Sequence, residues 1–91
     1  MEQHHQHQET RQVIHRLSRA IGHLDGIKKM VEDGRDCSEI LIQLAAVRAA
    51  INNTGKIILK DHMEHCVASA LENGDHEELD RFSEAVDRFL K

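Results

Sequence analysis

The chain has 91 residues and a formal net charge of -4, and it contains no Pro, Trp or Tyr and only two Phe, a composition typical of helices rather than sheets. One domain of this length buries a limited core unless it associates with another copy, so we expect self-association. No run approaches the roughly 18 apolar residues of a membrane span, so we expect a cytoplasmic, all-α protein. The charge is uneven, since residues 1–60 hold nine Lys and Arg against seven Asp and Glu whereas residues 61–91 hold three against nine, which excludes the acidic last third as a nucleic-acid surface.

The N-terminal region predicts a mobile arm followed by a first helix. Residues 1–8, MEQHHQHQ, have no apolar partner for packing and are expected to be a mobile His-rich arm, whereas residues 9–91 are expected to be a single helical domain. Gly34 is the expected end of the first helix, because glycine readily forms a C-terminal cap. Apolar residues at steps of three and four predict one stripe on this helix: Ile14, Leu17, Ile21, Leu24, Ile27 and Met30 or Val31.

A long second helix is predicted between Asp36 and Gly74. Asp36 is the expected N-cap, with Glu39 as the other half of a capping-box-like arrangement, and Asn73 and Gly74 supply the stop. The apolar positions between them are Ile40, Leu41, Leu44, Val47, Ile51, Ile58, Val67 and Leu71. About 36 helical residues would extend about 54 Å, too long for one small chain to cover. We therefore expect two copies of this helix to pair antiparallel in a dimer.

A third helix is predicted after Gly74. Asp75 is its expected N-cap, again with an acid, Glu78, three residues later. Its apolar stripe is formed by Leu79, Phe82, Val86 and Phe89. No internal repeat is present, so the sequence predicts three helices of unequal length.

One group of side chains predicts metal binding. His62 and Cys66 are four residues apart, so they share a face of the second helix and can bind one metal ion. Cys37 lies 25 residues before His62, which is about 37 Å along a helix. Within one chain it cannot join them, but in an antiparallel dimer the start of one helix lies beside the end of the other. We therefore predict two symmetric sites per dimer, each with Cys37 from one copy and His62 and Cys66 from the other.

The ligand types favour particular metals. Two thiolates and one imidazole form a soft site that suits Cu(I) in a trigonal arrangement, whereas a fourth nitrogen ligand would suit Zn(II), Co(II) or Ni(II). His5 in the arm could supply that nitrogen, and His65 is expected to be exposed or to lie behind the ligands. The competing interpretation is that the Cys residues are small buried side chains and the His-rich start is a solvated tail.

Three segments of the chain resemble the CsoR/RcnR family of metal-sensing transcriptional repressors, which includes copper sensors and nickel/cobalt sensors. The segments are HRLSRAIGHLDGIKKMVEDGRDC at residues 15–37, ILIQLAAVRAAIN at residues 40–52 and LKDHMEHCV at residues 59–67. They occur in the family's order and carry the Cys, His and Cys intervals of the copper-sensing branch. The resemblance covers nearly the whole chain.

This resemblance implies a three-helix protomer, an antiparallel dimer that forms a four-helix bundle, and a tetramer made of two dimers. It also implies that the apo-protein represses an operon for metal efflux or detoxification and releases operator DNA when metal binds. By position it implies Cu(I) ligation by Cys37, His62 and Cys66, supported by a Glu of the third helix, for which Glu84 is the candidate. The nickel/cobalt branch has an N-terminal His where His5 falls, so Ni(II) or Co(II) stays an alternative.

Three arginines are predicted to contact DNA phosphates: Arg16, Arg19 and Arg48. Arg48 stands in the small, apolar run LAAVRAA, where a charge needs a reason. Four copies of a weak patch in a tetramer would neutralise several phosphates together and give salt-dependent binding. The competing interpretations are an ordinary solvated face for each arginine and a metal buffer without DNA binding for the whole protein. No enzyme is predicted, because the chain lacks a Gly-rich phosphate loop and a nucleophile with an evident base.

Overall fold

The computed structural model describes residues 9–91, except for the side chain of Cys66, and these residues form helices and no strand. Its elements are α1 (Thr10–Glu32), α2 (Cys37–His62), a π-helical turn (Met63–Val67), α3 (Ala68–Asn73) and α4 (His76–Leu90). The junctions at His62, Val67 and Ala68 keep right-handed helical dihedral angles, so α2, the π-helical turn and α3 continue one another. The three predicted helices are therefore confirmed, and α4 is the third of them.

Glycines end two of these helices. Gly34 has a φ of 71°, and the following Arg35 N–H donates to the Met30 carbonyl at 2.9 Å. Gly74 has a φ of 69°, and the Asp75 N–H donates to the Ala70 carbonyl at 2.8 Å. Both are left-handed caps that satisfy carbonyls of the last turn, as the sequence predicted.

Aspartates cap the starts of α2 and α4. The Asp36 carboxylate accepts a hydrogen bond from the Ser38 N–H at 3.0 Å, and the Asp75 carboxylate accepts one from the Glu78 N–H at 3.1 Å. Glu39 accepts instead from the Arg35 guanidinium at 2.7 Å. The two aspartate caps are therefore confirmed. The predicted role of Glu39 in a capping box is wrong, because the nearby Arg35 guanidinium attracts its carboxylate.

The chain divides into two compact units, Arg11–Thr54 and a second that contains Gly55–Lys91. Ile27 and Val47 form the buried apolar core of the first, and Ala70 is buried among the described residues of the second. None of the large side chains among the described residues is fully buried. Among those residues, no helix has the length and apolar content to cross a membrane. Each unit alone therefore has a small core, as expected for a chain that associates with another copy.

The buried face of α1 differs from the predicted stripe. The buried and half-buried residues of α1 after its first residue are Val13, Arg16, Ala20, His23, Ile27 and Met30, at steps of three and four. Ile14, Leu17, Ile21 and Leu24 remain exposed. The predicted apolar stripe therefore lies mostly at the surface of the single chain, and an adjacent, less apolar stripe with the same spacing packs against the rest of that chain.

Candidate metal centre and DNA-contacting residues

His62, the last residue of α2, is held by two side chains of α4. Its imidazole stacks on the Phe82 ring, with centroids 4.4 Å apart and an interplanar angle of 28°. Its Nε2 atom lies 3.4 Å from Oε2 of Glu78. The His62 and Glu78 side chains are 17% and 21% exposed, so the contact is partly shielded from water. Two contacts of different kinds therefore restrict the rotation of this imidazole.

The Glu78 carboxylate is itself fixed by its surroundings. Its Oε1 atom accepts a hydrogen bond from the Arg81 guanidinium at 2.6 Å, and its backbone N–H donates to the Asp75 cap. The hydrogen bond from Arg81 to Glu78, together with the negative charge of Glu78, raises the pKa of Arg81 above its usual value. Glu78 thus bridges a permanent cation and the imidazole of His62.

The contacts of His62 with α4 were not predicted from the sequence. Glu78 was expected only as part of a helix start, and Phe82 only as part of an apolar stripe. The available signal was their spacing, because residues four apart lie on one face of α4. Glu84, expected to support the metal ligands, is exposed and accepts from Arg88 at 3.3 Å, and its role at the metal stays a prediction. Glu78 provides a carboxylate beside His62 that the sequence did not indicate.

The π-helical turn Met63–Val67 follows His62 and includes His65 and Cys66. Single turns of this kind within α-helices occur frequently at functional sites. His65 lies 3.3 Å from Asp61, whose side chain is only 3% exposed. The His65 side chain is itself 42% exposed, as expected, and its Nε2 atom faces the buried Asp61 carboxylate.

Cys37 is the first residue of α2 and carries an exposed free thiol. It therefore stands at the opposite end of α2 from His62. Among the side chains that the structure describes, no three or more His, Cys, Asp or Glu residues gather as a metal site within the single chain. The ligand role of Cys37, His62 and Cys66 stays a prediction, and His5 lies outside the described residues.

Two of the three predicted DNA-contacting arginines lie together. Arg16 and Arg19 of α1 line one cleft within the Arg11–Thr54 unit. Arg48 of α2 is exposed and is not among the residues that line it. Arg16 and Arg19 therefore share one cleft, and Arg48 is not among its lining residues.

An all-α chain with a thiol and an imidazole at the two ends of its longest helix, and with paired arginines on α1, has the features of a metal-dependent DNA-binding regulator. Residues 9–88 match the family described as metal-sensitive transcriptional repressors. The chain belongs to this family, and the resemblance identified from its sequence is confirmed.

Similar proteins include sensors of two metals. The copper-sensing transcriptional repressor CsoR of Bacillus subtilis strain 168 is 41% identical over 99 aligned residues, which span 100% of this chain and 96% of that protein. The crystal structure of the copper-sensing repressor CsoR with Cu(I) from Geobacillus thermodenitrificans NG80-2 has a TM-score of 0.85 and 36% identity, covering 100% of this chain and 95% of that one. The nickel-responsive transcriptional regulator InrS has a TM-score of 0.75 and 42% identity, covering 96% and 99%.

Proposed function

We propose that this protein binds operator DNA in its apo form and releases that DNA when two copies together bind Cu(I). Cys37 of one copy and His62 and Cys66 of the other are the proposed ligands, and Arg16, Arg19 and Arg48 are the proposed phosphate contacts. The proposed assembly is an antiparallel dimer that forms a four-helix bundle, with two dimers in a tetramer.

The observation that carries this proposal is an exposed apolar row along α2. Leu44, Ile51 and Ile58 are 41%, 45% and 46% exposed in the single chain. They recur every seven residues from Cys37, which places all four on one face of the helix with a drift of about 20° per repeat. We name Leu44, Ile51 and Ile58 the α2 row. Exposed apolar residues at so regular a spacing indicate a surface buried by another helix.

An antiparallel pairing of two α2 rows brings the predicted ligands together. If Ile51 of one copy faces Ile51 of the other across a two-fold axis, Leu44 faces Ile58. The same register sets Cys37 opposite residue 65, between His62 and Cys66. One register thus buries the row and completes two equivalent sites.

The side chains available fit Cu(I). Cys37 is an exposed thiol, and His62 is held by Glu78 and Phe82 in a limited range of orientations. When bound, Cu(I) supplies a soft cation that prefers thiolate and imidazole ligands. These ligands, contributed by two copies, would hold the ends of two α2 helices together. The arginines of the two copies would then change their relative placement, which would lower DNA affinity.

A second candidate is a repressor that responds to Ni(II) or Co(II). His5 is the nitrogen ligand that would complete a four-ligand site with Cys37, His62 and Cys66, a set that also suits Zn(II). The 42% identity to the nickel-responsive InrS favours this candidate. The two candidates differ in whether the arm is required for the response.

Operator binding by anaerobic fluorescence anisotropy separates these candidates. The apo-protein and protein loaded with Cu(I), Ni(II) or Co(II) are compared for wild type, His5→Ala and His7→Ala, the last as a matched control in the arm. We expect Cu(I) to release DNA in all three proteins. Release by Ni(II) that is lost only in His5→Ala would instead establish the second candidate, and a failure of the apo-protein to bind DNA would favour a metal buffer.

The shared site is tested by mixing two inactive variants. Cys37→Ser and His62→Ala should each abolish Cu(I)-induced release, because each removes a ligand from both sites of the dimer. In a mixed dimer, Cys37 of the His62→Ala copy and His62 of the Cys37→Ser copy form one intact site, so random mixing should restore about a quarter of the sites. Metal binding measured by competition with a chelator reports this recovery. Absence of recovery in mixed dimers that form normally would contradict a site shared between copies.

A further inference from the structure

The cleft between α1 and α2 in the Arg11–Thr54 unit has a volume of about 460 Å³. Small residues leave this space open, since Ala20, Gly22 and Ala50 line it. Its volume lies within the range of about 300 to 1,000 Å³ typical of small-molecule sites. The space is therefore large enough for a ligand beyond a few water molecules.

The polar side chains in this cleft favour an anion. Arg16 and Arg19 line it, and no Asp or Glu is among its lining residues. Nε of Arg16 is buried and has no hydrogen-bond partner among the residues that the structure describes. This atom is closed to solvent even though the cleft is open, so the donors that Arg16 and Arg19 can offer a ligand are their other guanidinium N–H groups. The Asn53 amide adds a neutral donor from the facing helix.

Two other polar groups of the cleft are already engaged and shape its wall. His23 Nε2 donates to the Gln43 amide oxygen at 2.7 Å, which links α1 to α2 at one end of the cleft. The Thr54 hydroxyl donates to the Ala50 carbonyl at 2.9 Å. The donors left for a ligand are therefore those of Arg16, Arg19 and Asn53.

We propose that this cleft binds a phosphate group, with Arg16 and Arg19 as its cationic contacts and the Asn53 amide as a further donor. Guanidinium groups bind phosphate oxygens in pairs of parallel hydrogen bonds. A tetrahedral phosphate can accept from donors on both helices at once, whereas a planar carboxylate cannot offer oxygens in as many directions. The phosphate belongs either to the DNA backbone or to a small free phosphorylated molecule. The first assignment rests on the proposed function, and the second does not.

Direct binding is tested on the full-length apo-protein by NMR titration with inorganic pyrophosphate at constant ionic strength. The signals followed are the Arg16 Nε–H and the Asn53 side-chain amide in wild type, and the Arg16 Nε–H in the variants. Asn53→Asp places a carboxylate among the arginines, whereas Asn52→Asp adds the same charge one residue away, outside the cleft lining. We expect saturable shifts in wild type, with binding at least about tenfold weaker in Asn53→Asp than in Asn52→Asp.

The source of the phosphate is tested by operator anisotropy with the same proteins. A larger loss of DNA affinity in Asn53→Asp than in Asn52→Asp assigns the cleft to the DNA backbone. A difference in pyrophosphate binding alone assigns it to a free phosphorylated ligand. Equal behaviour of the two variants in both assays overturns the proposal. Pyrophosphate binding by a wild type that binds no DNA would overturn the proposed function and leave the phosphate site standing.

Folding of the variants is checked by circular dichroism and sedimentation velocity, because Asn52 and Asn53 lie on a helix expected to pair with another copy. If Asn53→Asp does not assemble, Asn53→Ala removes the donor without adding a charge. It should weaken pyrophosphate binding relative to Asn52→Ala. Equal binding by these two alanine variants would also overturn the role of Asn53.

Discussion

The two units of the chain differ in charge and in the chemistry of their polar side chains. Arg11–Thr54 holds seven Lys and Arg against five Asp and Glu, whereas Gly55–Lys91 holds five against nine. The first unit contains the arginines proposed to contact DNA, and its cleft has no acidic lining residue. The second contains His62, whose imidazole is held by a carboxylate and an aromatic ring.

The proposed DNA contacts all lie in the basic unit, Arg11–Thr54, whereas the proposed metal ligands come from both units, Cys37 from the basic one and His62 and Cys66 from the acidic one. A basic unit attracts phosphates, and an acidic unit favours a metal cation and repels a DNA backbone. The long helix α2 runs from Cys37 in the basic unit to His62 in the acidic one. The α2 row is therefore the feature on which both proposed functions depend, and changes elsewhere should affect one function more than the other.

The largest expected effect is a loss of both functions in Ile51→Glu. Ile51 is 45% exposed in the single chain, so a charge there leaves the interior of the protomer intact. In the proposed dimer two such charges would be buried close together, which prevents assembly. Loss of multivalent contact should lower operator affinity at least about 100-fold, and the shared metal sites should disappear with it.

Sedimentation velocity and operator anisotropy measure these two losses. Ala49→Glu adds the same charge to α2 at another exposed position, outside the α2 row, and should assemble like wild type. Because the added charge lies beside Arg48, its operator affinity should fall, but far less than that of Ile51→Glu. Normal assembly of Ile51→Glu would show that the α2 row is not the surface that joins two copies.

Local signals in the sequence predicted the helices well. Gly34 and Gly74 end helices because their left-handed dihedral angles are easily reached by glycine, and Asp36 and Asp75 begin helices by accepting backbone N–H groups. The π-helical turn at Met63–Val67 was not predicted. Its sequence, MEHCV, carries no Pro or Gly that would mark a departure from α-helical hydrogen bonding.

The packing of side chains was harder to predict than the helices. On α1, Arg16 and His23 are half-buried while Ile21 is 69% exposed, because periodicity alone does not distinguish a face that meets the same chain from one that meets another copy. The spacing of His62 and Cys66 identified a candidate metal site. It could not identify Glu78 and Phe82, whose positions depend on how α4 turns back after Gly74.

A smaller effect, limited to metal binding, is expected for Glu78→Gln. Glutamine keeps the shape of the side chain but removes the charge that faces His62 and Arg81. Groups that orient a metal-binding His typically change metal affinity by about 10- to 100-fold, and we expect a decrease near the lower end of that range for Cu(I). Operator affinity of the apo-protein should not change. Chelator competition measures the first and anisotropy the second.

Glu77→Gln is the matched control for this change, since Glu77 is exposed in the same first turn of α4. It removes the same charge and should leave Cu(I) affinity close to that of wild type. An equal decrease in both variants would mean that the overall negative charge of the unit, rather than contact with His62, governs metal affinity.

The smallest expected effect is a change in stability when one glycine of each unit, Gly55 or Gly26, is replaced by alanine. A Cβ atom at Gly55 would overlap the Phe89 ring, whereas a Cβ at Gly26 would meet nothing within 4 Å. Replacing a helical glycine with alanine normally stabilises a protein by about 0.5 to 1 kcal/mol, and Gly26→Ala should show that gain. In Gly55→Ala the ring must move off α2, and the loss of its apolar contact, about 1 kcal/mol, should cancel the gain.

Thermal unfolding at one fixed protein concentration measures these differences, because association also contributes to stability. The decisive comparison is made in a Phe89→Ala background, where the obstacle to a side chain at position 55 is gone. There Gly55→Ala should recover the stabilisation of about 0.5 to 1 kcal/mol that Gly26→Ala shows in wild type. If Gly55→Ala is already as stabilising as Gly26→Ala when Phe89 is present, the Phe89 ring does not hold the end of α4 against α2, and the interior of the acidic unit is looser than its contacts indicate.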